Sequence, residues 1–137
     1  SRATQWWPGP RRCCRPRFAE AWNKLGIVRE KAGRRDDARQ AYEKAVEAAP
    51  GYADALFNHA KISLLLGDRS TAGREVRALI AKHPDYRSAL FLLAHVLLAE
   101  GDKPGAREAL ERFLGQAGPA DPRTLESARE TLKELGG

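Results

Sequence analysis

Gly33, Gly67 and Gly101 stand 34 residues apart, and the same interval links Ala38 to Ala72 and Ala106, Pro16 to Pro50 and Pro84, and Phe18 to Tyr52 and Tyr86. Four kinds of side chain holding one interval define a stack of equal supersecondary units, a pattern that takes precedence over any local reading. Such units act through their surfaces.

Starting from Ala19, the units run over residues 19–52, 53–86 and 87–120, and each divides into two helices. In the first, Ala21, Trp22, Leu25, Val28 and Ala32 form an apolar stripe at helical spacing before Gly33. A residue without Cβ enters the left-handed region that closes a helix, so the periodic glycines are stop signals. Each is followed by a short polar turn, in which Asp36, Asp68 and Asp102 are suited to cap the next helix. Pro104 is acceptable in a first turn. The second helices carry one inward face each: Ala38, Tyr42 and Ala45, then Ala72, Val76 and Leu79, then Ala106, Leu110 and Phe113. Pro50 and Pro84 end two of them by removing an amide donor, and Gly118 with Pro119 plays that part in the third. Beyond, Asp121 and Pro122 open a final helix over residues 122–135, with Leu125, Ala128, Leu132 and Leu135 on one face and charge on the other. A polar outer face of this kind closes a repeat array.

Trp22, Leu25, Gly26, Ala38, Tyr42, Ala45 and Pro50 in the first unit, Leu56, Ala60, Ala72 and Pro84 in the second, and Leu90, Leu93, Ala94, Leu97, Ala106 and Leu110 in the third resemble the tetratricopeptide repeat family over residues 16–120. Arg29 departs from the pattern where the family has Tyr, as do His59, Ser63 and Val76. The resemblance implies an all-α, right-handed solenoid of three helix-turn-helix repeats plus a C-terminal capping helix over residues 121–137. Gly26, Ala60 and Ala94, with the alanines at 38, 72 and 106, have a packing reason: small side chains let two helices approach.

Residues 1–15 do not continue the pattern, since Pro8, Gly9 and Pro10 cannot form a second helix. They are expected to be a mobile basic tail, a junction or altered sequence, with Pro16, Arg17 and Phe18 the remnant of a preceding unit. The absence of methionine suggests a fragment. Of the net charge of +6, Arg2, Arg11, Arg12, Arg15 and Arg17 supply +5 with no acid among them, leaving +1 on the rest. Although Trp6 and Trp7 could stack on bases, a nucleic-acid groove needs cations on the folded body, so the sequence argues against that partner. The adjacent Cys13 and Cys14 are poorly placed for a disulfide and lack nearby histidines for zinc. The longest apolar stretch, residues 89–99, is about half a membrane span and is interrupted by His95. The compartment stays open, the cytoplasm being favoured.

No catalytic set emerges and no metal or other cofactor is expected. His59 takes a slot held elsewhere by Leu25 and Leu93 and reads as a half-buried structural residue; His83 precedes Pro84 at a helix C-terminus, where a cation suits the dipole; His95 faces outward as a binding contact. The chain therefore reads as a non-catalytic protein-interaction module. In the resembled family, exposed positions of the first helices line a concave groove that holds a peptide or a partner helix. Those slots here hold Asn23, Ile27, Asp54, Phe57, Asn58, Lys61, Phe91, Leu92, His95 and Leu98. Phe57 and Phe91, one interval apart, either anchor an apolar ligand group or pack structurally between helices. The clamp that some members use for an acidic chaperone C-terminus keeps only Asn58, since its other slots hold Asn23, Ile27, Ser88 and Leu92. Two alternatives stand beside the groove reading: an accessory segment of a larger, bacterial enzyme or assembly factor, and self-association into a homo-oligomer through the open face near Phe18 and Trp22.

Overall fold

The computed structural model describes residues 16–116 and 121–136. Among these residues it is entirely helical, with seven helices and no strand. The chain forms two compact units, Ser1–Leu66 and Gly67–Gly137.

The first unit contains α1 (Pro16–Lys31), α2 (Arg35–Ala48) and α3 (Ala53–Leu65). Helix α2 packs on both α1 and α3, and α1 also touches α3. At their centre Ala38, Tyr42 and Ile62 are fully buried, with Ile27 and Leu66 packed against them. At Gly26 the helices come too close for a side chain: a Cβ placed there would run into the Tyr42 ring. The second unit contains α4 (Arg69–Lys82), α5 (Arg87–Glu100), α6 (Lys103–Gly115) and α7 (Pro122–Gly136). Each helix packs on the next, around a core of Leu90, Ala94, Ala106, Ala109, Leu110, Phe113 and Ala128. Leu125, Leu132 and Leu135 bring α7 onto that core.

The turns follow from backbone chemistry. Gly33, Gly67 and Gly101 have φ of 80°, 91° and 85°, the left-handed region that side chains with a Cβ rarely enter. The chain then folds back on the spent helix: the amide of Arg34 donates to the carbonyl of Arg29 at 2.9 Å and that of Asp102 to Leu97 at 2.8 Å. Asp68 accepts from the Thr71 amide at 3.2 Å and Asp102 from the Gly105 amide at 2.9 Å. Asp121 caps α7 similarly, accepting from the Thr124 amide at 3.3 Å and its hydroxyl at 3.2 Å.

Three expectations need correction. Asp36 is not a cap; the residue before α2 is Arg34, which makes no side-chain capping bond. The 34-residue interval itself aligns Arg34, not Asp36, with Asp68 and Asp102. Asp36 lies inside the first turn, where its charge still suits the helix dipole. Next, Pro16, Arg17 and Phe18 are not the remnant of a turn but the first turn of α1, whereas Pro50 and Pro84 lie outside helices. A proline needs no amide donor at a helix start. Finally, the apolar stripe of α1 is not its buried face: Leu25 is 37% and Val28 64% exposed, while Ala19, Asn23 and Gly26 are buried. Close approach of α2 selects small residues for the inward side, and the larger aliphatics fall outside. The expectations for Trp6, Trp7, Cys13, Cys14, Gly118 and Pro119 lie outside the described residues.

Candidate functional site

The ten candidate residues divide between the two units. In the first, α1 supplies Asn23 and Ile27, and α3 supplies Asp54, Phe57, Asn58 and Lys61. Steps of three and four along α3 put Asp54, Phe57, Asn58 and Lys61 on one side of that helix. The amide Nδ2 of Asn58 donates to Oδ1 of Asn23 at 2.9 Å, joining the two first helices of successive repeats. Asn23 is only 5% exposed, a buried partner of Asn58 and not the exposed residue expected. Ile27 is partly buried and packs against the core around Tyr42.

Next to this pair lies a charged group whose core member was not expected at the site. Tyr42, fully buried on α2, donates its hydroxyl to Oε1 of Glu30 at 2.7 Å. The other carboxylate oxygen faces Lys61 Nζ at 3.5 Å. Burial of the phenol comes first, followed by its hydrogen bond to Glu30 and the nearby negative charge, and together they push the Tyr42 pKa well above its ordinary value. Lys61 also lies 5.9 Å from the centroid of the Phe57 ring. The signal for this group was present in the sequence: Tyr42 occupies a slot that holds Val76 and Leu110 in the other repeats, and a buried phenol needs an acceptor.

In the second unit, Phe91, Leu92, His95 and Leu98 belong to α5. The Phe91 ring packs against Phe113 at 5.4 Å and edge-on to His95 at 4.5 Å. His95 Nδ1 lies 2.9 Å from the Phe91 carbonyl oxygen. A carbonyl can only accept, so Nδ1 is the donor in this bond. Arg87 caps the group, with its guanidinium 4.8 Å from the Phe113 ring and its Nε donating to the Phe113 carbonyl at 2.9 Å. Leu92 is 6% exposed and is corrected from an open contact to a buried one, as an aliphatic chain leaves water where it can. Phe91 and Leu98 pack partly on the core. His59, expected to be half buried, is 6% exposed.

Among the described residues, no helix is long and apolar enough to cross a membrane. Nor does any group of three or more His, Cys, Asp or Glu stand where it could hold a metal ion.

Residues 19–52 and 57–122 match the tetratricopeptide repeat family. The chain belongs to that family. Solved tetratricopeptide structures share its fold. The first TPR domain of Spaghetti (RPAP3), bound to the HSP90 peptide SRMEEVD, matches with a TM-score of 0.78 at 20% identity, covering 91% of this chain and 98% of that one. The Sgt2 TPR domain from Aspergillus fumigatus matches at 0.75 and 22% identity, covering 93% and 87%. The Yersinia enterocolitica type III secretion chaperone SycD, in complex with a peptide of the translocator YopD, matches at 0.73 and 14% identity, covering 85% and 91%. No curated protein sequence matches the chain.

Proposed function

We propose that this tetratricopeptide chain is a non-catalytic protein-interaction module that recognises a peptide or helix through the open sides of its first helices. The observation that carries the reading is the Asn58 to Asn23 hydrogen bond at 2.9 Å. It ties up one amide proton of Asn58 and one lone-pair direction of Asn23, and holds the Asn58 carboxamide in one orientation on a partly exposed face. A fixed carboxamide is suited to an extended backbone, to which it can offer both a donor and an acceptor. Phe57 and Lys61 stand on the same side of α3 and add an apolar and a cationic contact. In the second unit, His95 and Leu98, beside the Phe91 ring that packs on the core, add an imidazole and an apolar contact.

Support comes also from the two neighbours described above, whose structures contain bound peptides. The test is selection of a random peptide library on the immobilised chain, repeated with Asn58→Ala. Enrichment of related peptides that lose affinity on the variant, while the helical circular dichroism of the variant is unchanged, is the expected result. Failure to enrich any sequence, or peptides that bind the variant equally, would overturn the reading.

A further inference from the structure

The side of α3 that carries Asn58 and Lys61 continues one turn further, to Leu65. Steps of three and then four residues keep these side chains in line, and Leu65 is 51% exposed. Packing does not require a leucine there. The same slot holds Lys31 one interval before and Ala99 one interval after, and all three residues are exposed. The slot faces solvent in each of the three first helices, and in α3 alone it holds a large apolar side chain.

The charge one turn away is already balanced. One oxygen of the Glu30 carboxylate accepts from the Tyr42 hydroxyl at 2.7 Å, and the other faces Lys61 Nζ at 3.5 Å. A ligand carboxylate brought to Lys61 would also stand close to Glu30, and that repulsion offsets most of the attraction. A backbone carbonyl brings no net charge. The ammonium has three N–H donors, so it can give one to such a carbonyl while keeping Glu30.

Distance along the helix sets the spacing of the ligand. At about 1.5 Å per residue, Leu65 lies about 10 Å along α3 from Asn58, a length that about three residues of extended chain span. A strand laid along this side would present its backbone to Asn58 and Lys61 and, about three residues from Asn58, a side chain to Leu65.

We propose that this site takes an uncharged, extended segment of a partner polypeptide, with a leucine, isoleucine or valine seated on Leu65, and discriminates against acidic segments. The inference rests on the recognition surface proposed above and names what that surface selects.

The experiment immobilises the 137-residue chain and offers it two pools of peptides of about eight residues, blocked at both ends to remove terminal charge. Both pools are built from Gly, Ser, Asn and Gln; one carries a single leucine at each position in turn, and its twin carries glutamate there. Mass spectrometry counts the peptides retained. The leucine pool is expected to be held at least about tenfold better than its twin, with a ratio that changes by less than about twofold between roughly 0.05 and 0.5 M salt. Leu65→Lys places at this slot the residue type found at Lys31, on a side chain already half in solvent, and should turn the preference toward glutamate without loss of helicity. Asn58→Ala should weaken retention of the leucine pool. Retention of neither pool, or leucine retention that Asn58→Ala leaves intact, would overturn both the recognition surface and this inference. A glutamate preference that Asn58→Ala removes would overturn the inference alone, as would a leucine preference that survives Leu65→Lys.

Discussion

Tyr42 donates to Glu30 at 2.7 Å from a ring with no exposed surface, so a core residue of α2 anchors the carboxylate that faces Lys61. A hydrogen bond to a charged acceptor contributes about 1.5–3 kcal/mol, and Tyr42→Phe should lower stability by about that amount at pH 7. The pH dependence has a definite sign. The folded state holds the phenol proton well above its ordinary pKa of 10.0, while the unfolded chain releases it near that value. Stability from this group is thus complete below pH 10 and falls as the pH rises further, by about 1.4 kcal/mol per unit. Urea unfolding of the parent and Tyr42→Phe chains at pH 7, 10 and 11 measures it. The gap between them should narrow above pH 10, and a constant gap would contradict the assignment.

Helix spacing sets the second expectation. Ala72 is fully buried, and Gly26 abuts the Tyr42 ring so closely that a methyl group cannot be added without moving it. Ala72→Leu should cost about 1–3 kcal/mol through overpacking. Gly26→Ala should also destabilise, because the collision with a buried, rigid ring outweighs the roughly 1 kcal/mol that alanine gains over glycine in a helix interior. Melting temperatures decide the matter, and an unchanged value for Ala72→Leu would refute the packing role.

The caps distinguish residues that look alike in sequence. Asp68→Ala and Asp102→Ala each remove an acceptor from a helix N-terminus, and each should cost about 1 kcal/mol. Asp36→Ala removes only a charge from a first turn and should cost a few tenths of a kcal/mol. Chemical denaturation of the three variants would show the ranking, and a loss at Asp36 equal to the others would mean that it caps α2 after all.

Those aspartates also show which parts of the fold could be read from residues alone. The positive φ of Gly33, Gly67 and Gly101 was legible because few other residues accept that conformation and the interval repeats it. The inward faces of α2, α4 and α6 were legible for the same reason, since Ala38, Ala72 and Ala106 recur where helices touch. The orientation of α1 was not. Periodicity identifies an apolar side but not whether anything lies on it, and the buried side of α1 is made of Ala19, Asn23 and Gly26, which apolar patterning passes over. At the candidate site, Asn58 and Lys61 were identifiable by their place on α3, whereas the reach of Tyr42 from α2 to Glu30 depends on tertiary approach. Asn23 and Leu92 were misjudged as open because burial at those positions is set by neighbouring helices and not by their own residue type.

The two aromatic candidates should behave differently. Phe91 is held between Phe113 at 5.4 Å and His95 at 4.5 Å and packs on the core of the second unit, so its ring is part of the framework there. Phe91→Ala should cost about 3 kcal/mol, near the lower end for removing a large aromatic because the ring is only partly buried. Any effect on partner affinity should follow from that loss and disappear when folding is restored by lower temperature. Phe57 stands on the same side of α3 as Asn58 and Lys61, is partly exposed, and has Lys61 Nζ 5.9 Å from its ring centroid. Phe57→Ala should leave most of the stability intact while weakening capture of peptides selected on the parent chain by about tenfold, the scale of one aromatic contact. Melting curves and fluorescence anisotropy on the two variants separate framework from contact. Equal destabilisation by both, with unaltered affinity for selected peptides, would assign both rings to packing and remove Phe57 from the recognition surface.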